Sequence, residues 1–306
     1  MRLKLGRPDL GQYTDRFDVP AAAGPLGVTF LGVASLLIDD GETALMTDGF
    51  FSRPSLAKVV LGKVAPDLDR IDAVLARAGV DRVAAVLPVH THYDHAMDSA
   101  VVAERTGADL VGGGSTAYVG RGHGLPADRI RVVTPGEPMT YGAFTLTLIE
   151  SHHCPPDRFP GEITAPVVPP VKAGAYKCGE AWSVLLEHAG GATALLQGSA
   201  GYVAGSLAGH RADVAYLGIG QLGVQSEDYI RTYWAETVEA VGARRVVLTH
   251  WDDFFRPLDR ELRALPYLGD DLDVTVRVFD ELAAEAGVSI HFPTVWQRED
   301  PWASVV

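Results

Sequence analysis

The chain is short of cysteine and of positive charge, and it has no long apolar run; each shortage removes a class of protein. Cys154 and Cys178 are the two cysteines among 306 residues. They allow at most one bridge, too few for a disulfide-stapled secreted framework, so both are expected reduced. Lysine and arginine total 26 against 39 aspartates and glutamates, a net charge of -13. A broad cationic footprint for a phosphate backbone is therefore lacking, and no nucleic-acid partner is expected. No stretch approaches about 18 uninterrupted apolar residues, and the opening MRLKLGRPDLGQYTDRFDVP lacks the apolar core and cleavage site of a secretory signal. The expectation is a cytoplasmic protein with no membrane partner. Glycine is plentiful, yet there is no Gly-x-Ser-x-Gly elbow and no Walker-type phosphate loop, which argues against serine hydrolases and nucleotide kinases.

What is present is an ordinary globular composition, 47% hydrophobic and 21% charged, in a chain long enough to bury a large core. Residues 1–26 read as an irregular N-terminal arm and 27–306 as one domain. Short apolar runs at 28–31, 35–39 and 43–46, separated by Gly32 and Asp40-Gly41, predict strands joined by tight turns. Leu68, Ile71, Val74, Leu75 and Ala78 recur at helical spacing between a cap at Asp67 and a stop at Gly79. Val83 to Val89 reads as a strand buried on both faces that delivers the chain to His90. A helix is expected over 96–105 and a short strand over 109–111. Alternation at Phe144, Leu146 and Leu148 predicts a strand ending at Ser151-His152-His153. Residues 154–180 hold six prolines and little periodicity, as in a lid or pocket wall. Strands follow at 183–186, 193–196, 214–217 and 246–249, the last running into His250, with helices over 227–241 and 274–286. Strands in runs, then mixed with helices in both halves, indicate two sheets with helices outside.

The segment His90-Thr91-His92-Tyr93-Asp94-His95 places four metal-competent side chains within six residues. In extended backbone His90 and His92 point to one side and can reach one ion. Asp94 and His95, where the strand gives way to a loop, can turn toward a second.

HTHYDH resembles the His-x-His-x-Asp-His signature of the metallo-β-lactamase superfamily, and further landmarks follow in order, each behind an expected strand. The resemblance implies an α/β fold: a four-layer αβ/βα sandwich of two mixed sheets flanked by helices, with metal at the edge where the sheets meet. It places His90 and His92 at one ion with His153, or alternatively His152, and Asp94, His95 and His250 at a second. Asp48, in Thr47-Asp48-Gly49, is implied to accept a proton from a ligating imidazole. Many dinuclear relatives carry a bridging aspartate in a Gly-Asp step. Here that step is Gly198-Ser199, so a second ion should bind less tightly. Ser199 could instead hydrogen-bond a water or a substrate oxygen.

The implied function is hydrolysis of an ester, lactone or phosphodiester bond of a small-molecule substrate by a metal-activated hydroxide, with Asp94 orienting the water or taking its proton. The cofactor expected is Zn²⁺, one or two per chain, with Mn²⁺ or Fe²⁺ as alternatives. Trp251, Phe254 and Phe255 beside His250 are candidate pocket walls, and Tyr176 and Lys177 candidate contacts to an anionic group. The broad group that includes sugar-phosphate lactonases is the nearest resemblance, although Val33 stands where those relatives often carry histidine. The alternative is a metal-binding sensor or scaffold without hydrolytic activity. Trp296 and Trp302 could serve a homo-oligomer contact.

Overall fold

The computed structural model describes residues 4–304. The first half of the chain supplies β1 (Gly27–Phe30), β2 (Leu36–Asp39), β3 (Ala44–Thr47), α1 (Leu56–Leu61), α2 (Leu68–Arg77), β4 (Ala85–Leu87), α3 (Tyr93–Ala96), α4 (Ser99–Thr106), β5 (Asp109–Gly112), α5 (Gly114–His123) and β6 (Ile130–Val132). The second supplies β7 (Pro138–Tyr141), β8 (Phe144–Ser151), β9 (Ala181–His188), β10 (Thr193–Gln197), β11 (Val214–Gly218), α6 (Glu227–Trp234), β12 (Arg245–Thr249), α7 (Leu272–Ala286), β13 (Ser289–His291) and β14 (Arg298–Glu299). Among the described residues these strands form two seven-stranded sheets, ordered β14-β1-β2-β3-β4-β5-β6 and β13-β12-β11-β10-β9-β8-β7. In the first, β1 to β3 pair antiparallel and β3 to β6 parallel. In the second, β7 to β10 pair antiparallel and β10 to β13 parallel.

The period-two alternation of the strands sets the layers. Leu36, Ile38, Leu45, Ala85 and Leu87 face the second sheet and share one core with Leu146, Leu148 and Val184. Their neighbours Leu37, Met46 and Val86 face outward and pack with Ile71, Val74 and Leu75 of α2 and with Ala100 and Val101 of α4. Helix ends follow their capping chemistry. Asp67 accepts from the Arg70 amide, Ser226 accepts from Tyr229, and Gly287 closes α7 in the left-handed conformation. The expected helix over 227–241 forms as α6 continued by a π turn, Ala235–Glu239. No helix among the described residues is long and apolar enough to cross a membrane.

Trp302 is buried against the second sheet, its indole donating to the Thr193 carbonyl at 2.9 Å. It serves the core and is not free for an oligomer contact. Residues 154–180 contain one 3-10 turn, Ala173–Ala175. They are pinned by a bridge between Val64 and Val171 and by the Thr91 amide donating to the Cys178 carbonyl at 2.7 Å.

Candidate metal centre

Strand direction brings the candidate residues together. β3 and β4 run parallel, and β8, β10 and β12 share one direction through the antiparallel β9. Their C-terminal ends open onto one edge of the sandwich, where ligands of open α/β sheets collect. Asp48 follows β3, the His90 segment β4, His153 β8, Ser199 β10 and His250 β12. The approach is close: a Cβ on Gly198 would lie 2.0 Å from Val89 Cγ2, and one on Gly220 2.7 Å from His250 Nδ1. Glycine at both steps lets the histidine-bearing segments sit against the rim.

Three groups of donor atoms result among the described residues, one of them His92 with Asp157 and Cys178. Those of His90, His92 and His153 lie within 4.8 Å of one another, as do those of Asp94, His95 and His250. The local route differs from the extended strand expected. β4 ends at Leu87, His90 and His92 lie in bent backbone, and Asp94 and His95 sit in the one-turn helix α3 rather than a loop. His153 packs against His90 and His92, ring centroids 4.9 and 4.6 Å apart, whereas the neighbouring His152 is exposed.

Protons on these rings are placed by their outer partners. His95 Nδ1–H donates to Asp48 Oδ2 at 2.7 Å, and His153 Nδ1–H to the Cys154 carbonyl at 2.6 Å. His92 Nε2 lies 3.0 Å from Asp157 Oδ1, an electrostatic contact without the alignment of a hydrogen bond. Each partner is an oxygen acceptor, so a neutral ring keeps its proton there and turns a bare nitrogen inward. His92 Nδ1 then faces His90 Nε2 at 3.1 Å, and His95 Nε2 faces His250 Nε2 at 3.2 Å. Opposed imidazole nitrogens beside Asp48 and Asp94, two buried carboxylates whose cationic neighbours are imidazoles, fit a cation between them.

Burial and charge favour the neutral ring at His90 and His153 but the cation at His95. Burial drives His90 well below the ordinary imidazole range, with His95 and His92 adding to the effect, and burial with His92 takes His153 down to about 4. Neutral histidine is the ligating form. At Asp94 burial acts upward, but His95 and His250 outweigh it and hold the carboxyl below the usual carboxylate range. At His95 burial acts downward, and Asp48 and Asp94 reverse it.

Ser199 lines the cavity above the histidines, and its Oγ accepts from the Cys154 amide at 3.0 Å. No carboxylate stands at this step. Two expectations need correction. Tyr176 is buried with the apolar residues packed under α2 and α4, and Trp251 lies in the inter-sheet core against Phe17, Phe30 and Phe292. Both neighbour the rim in sequence, but backbone direction turns their rings into the interior. Lys177, by contrast, is exposed and outside the cavity wall, while Phe254 and Phe255 do line it.

Sequence reasoning missed Asp157 and a buried pair beside His250. Arg53 and Asp252 are wholly shielded and 2.7 Å apart. Asp252 Oδ1 also accepts from the Val33 amide at 2.8 Å, and the Val33 carbonyl accepts from the His250 amide at 2.6 Å. Val33, Arg53 and His250 all hold positive φ, 56°, 42° and 58°, a strained state for such side chains that persists only where surroundings enforce it. The adjacent acid in Trp251-Asp252-Asp253 was the one available signal.

A two-sheet α/β sandwich with a histidine-rich cleft at the C-terminal strand ends defines a fold class, and solved structures share it. A candidate metal-dependent hydrolase from Parabacteroides distasonis ATCC 8503 superposes with a TM-score of 0.56 at 10% identity, covering 91% of this chain and 99% of that one. The metallo-β-lactamase fold protein YhfI from Bacillus subtilis gives 0.50 at 15%, covering 90% and 98%. CmlA, a diiron β-hydroxylase from Streptomyces venezuelae, gives 0.51 at 12%, covering 89% of this chain and 53% of its own. No protein-family model matches the sequence, nor does any curated protein. The chain has the metallo-β-lactamase fold.

Proposed function

We propose that the protein is a metal-dependent hydrolase acting on an ester, lactone or phosphodiester bond of a small molecule. The observation that carries this reading is the clustering of His90, His92 and His153 and of Asp94, His95 and His250, with His95 and His153 donating outward through Nδ1, at a cavity of about 920 Å³ lined by His92, Asp94, His153 and His250. His90, His92 and His153 would hold one ion, and Asp94, His95 and His250 a second. Zn²⁺ suits this donor set, with Mn²⁺ or Fe²⁺ as alternatives. When bound, a divalent ion supplies Lewis acidity toward a carbonyl or phosphoryl group and lowers the pKa of a water toward ~7.

The chain's own residues supply the rest. Where it does not hold an ion tightly, Asp94 orients the attacking water or takes its proton. Ser199, whose oxygen accepts from Cys154, keeps its hydroxyl proton for a substrate oxygen. In the overall reaction one water adds its oxygen to the acyl or phosphoryl centre. The bond to the leaving oxygen breaks, and that oxygen takes a proton. With serine in place of a bridging carboxylate, the Asp94 group carries one carboxylate for its ion and should lose it first.

The test is elemental analysis of wild type and His92→Ala beside an ester and phosphodiester screen. About one or two ions per chain, diminished in the variant, with turnover lost on chelation and restored by Zn²⁺ or Mn²⁺, are the expected results. Metal-free wild-type protein would overturn the reading. Bound metal with no turnover, appearing only in Ser199→Asp, would favour a metal-binding sensor or scaffold.

A further inference from the structure

The cavity over the histidine floor differs in charge from the rest of the molecule. Besides Asp94, its one acidic lining residue is Asp253, against four cations, Arg7, Arg158, Lys172 and Arg263, in a chain of net charge -13. Arg7 and Arg263 share the single carboxylate oxygen Asp253 Oδ2, at 3.0 and 2.8 Å. Lys172 donates to the Leu61 carbonyl at 2.9 Å. Arg158 has no ion-pair or hydrogen-bond partner among the described residues. The positive charge here exceeds what the protein neutralises, and a lined cleft concentrates such a field.

The rest of the wall is apolar. α1 has no buried residue, although four of its six are leucine or valine. A helix this short gains little from its own hydrogen bonds and normally depends on packing. Leu56 and Val60 line the cavity while 54% and 63% exposed, and Leu268, also in its wall, is 70% exposed. Phe159, Phe254 and Phe255 continue the apolar surface down to the histidines. Exposed apolar side chains gathered at one cleft mark a binding surface.

We propose that this cavity selects an anionic amphiphile. The substrate's apolar chain or ring body lies against α1 and the phenylalanines, and its carboxylate or phosphate is held by Arg158 with Lys172, which sets the scissile bond over the histidine floor. The proposal names the substrate class for the hydrolase reading above and rests on it for the reaction, though not for the binding.

The first measurement is calorimetric binding of dodecylphosphonate, dodecanoate and methylphosphonate, below micellar concentrations, to the protein as purified and to Arg158→Gln and Val60→Asp. Dodecylphosphonate or dodecanoate should bind at least about tenfold more tightly than methylphosphonate, and each variant should lose about tenfold. The preferred head group distinguishes a phosphate-bearing from a carboxylate-bearing substrate. Equal affinity for the long and short phosphonates, or unchanged binding in Arg158→Gln, overturns the proposal. The second measurement is turnover of 4-nitrophenyl esters of long dicarboxylic half-acids against neutral short esters. The kcat/KM ratio should favour the anionic long ester and fall about tenfold in Arg158→Gln, mainly through KM. Amphiphile binding without turnover of any ester would leave the cavity assignment standing and remove the hydrolase reading. Turnover of neutral esters without amphiphile binding would do the reverse.

Discussion

Asp48 Oδ2 accepts from His95 Nδ1 at 2.7 Å while its Oδ1 accepts from the Val89 amide at 2.9 Å, so one buried carboxylate fixes both the ring and the backbone that leads to it. Asparagine tolerates the positive φ of 52° at this position but offers one acceptor oxygen for two donors. Asp48→Asn is therefore expected to weaken metal binding by roughly 10–100-fold, read by competition with a chromophoric chelator. Unchanged affinity would mean that His95 does not hold metal.

The shielded pair of Arg53 and Asp252 should matter more to stability than to the net charge of the site. Arg53→Met or Asp252→Leu alone strands a buried charge and should cost about 3–5 kcal/mol in urea unfolding. The double variant should recover part of that loss, a coupling measured as a double-mutant cycle. Metal affinity should not recover with it, because the Val33 amide has lost its acceptor and the Val33–His250 link its anchor.

Asp157, 23% exposed in its side chain, lies against His92 at the rim. Asp157→Asn should leave the unfolding midpoint nearly unchanged yet shift the visible bands of the cobalt-substituted protein and weaken metal binding by about tenfold. A variant with wild-type bands would show that His92 is held by its backbone alone.

Asp270 belongs to none of the donor groups. Burial pushes its carboxyl up to about 7, against amide hydrogen bonds from Gly223 and its neighbours. The folded protein thus holds this proton more tightly than the unfolded chain. The corresponding stability is fully present below the ordinary carboxylate range and is lost as pH rises from about 4 to 7, by up to roughly 4 kcal/mol. Burial likewise lifts Glu299 to about 7 and Asp98 to about 6, with the same sign. Urea midpoints should fall between pH 5 and pH 8, and Asp270→Asn should flatten the slope in part. An equal slope in the variant would place the titration elsewhere.

Of the strands that carry the site, β4 and β12 were legible because their apolar runs are buried on both faces and lead to His90 and His250, and β8 because its alternation leads to His152-His153. α5 was not, because Gly114, Gly120 and Gly122 lower its helix propensity. Two of them are needed: a Cβ on Gly120 would sit 2.8 Å from Leu110 Cδ2, and one on Gly122 1.9 Å from the Val167 carbonyl oxygen. α1 lacks a buried face, and β14 is two residues long, so neither offers a period to read. The pairing of His90 with His92 followed from spacing, whereas the places of His153 and His250 were what the family resemblance implied. The orientation of Tyr176 and Trp251 did not, since a residue next to a rim can face either way. Arg53, Asp157 and Asp252 belong to no local pattern and acquire meaning only from partners distant in sequence.

Asp157 touches a histidine of the centre, and the next residue, Arg158, faces the cavity. Both lie on the same proline-rich segment, which supplies Phe159 and Lys172 as well. Grip on the ion and choice of guest are thus written into one stretch of chain. A descendant that exchanged this segment for another would change its diet and its metal appetite in a single step, and could not drift in one without being tested on the other.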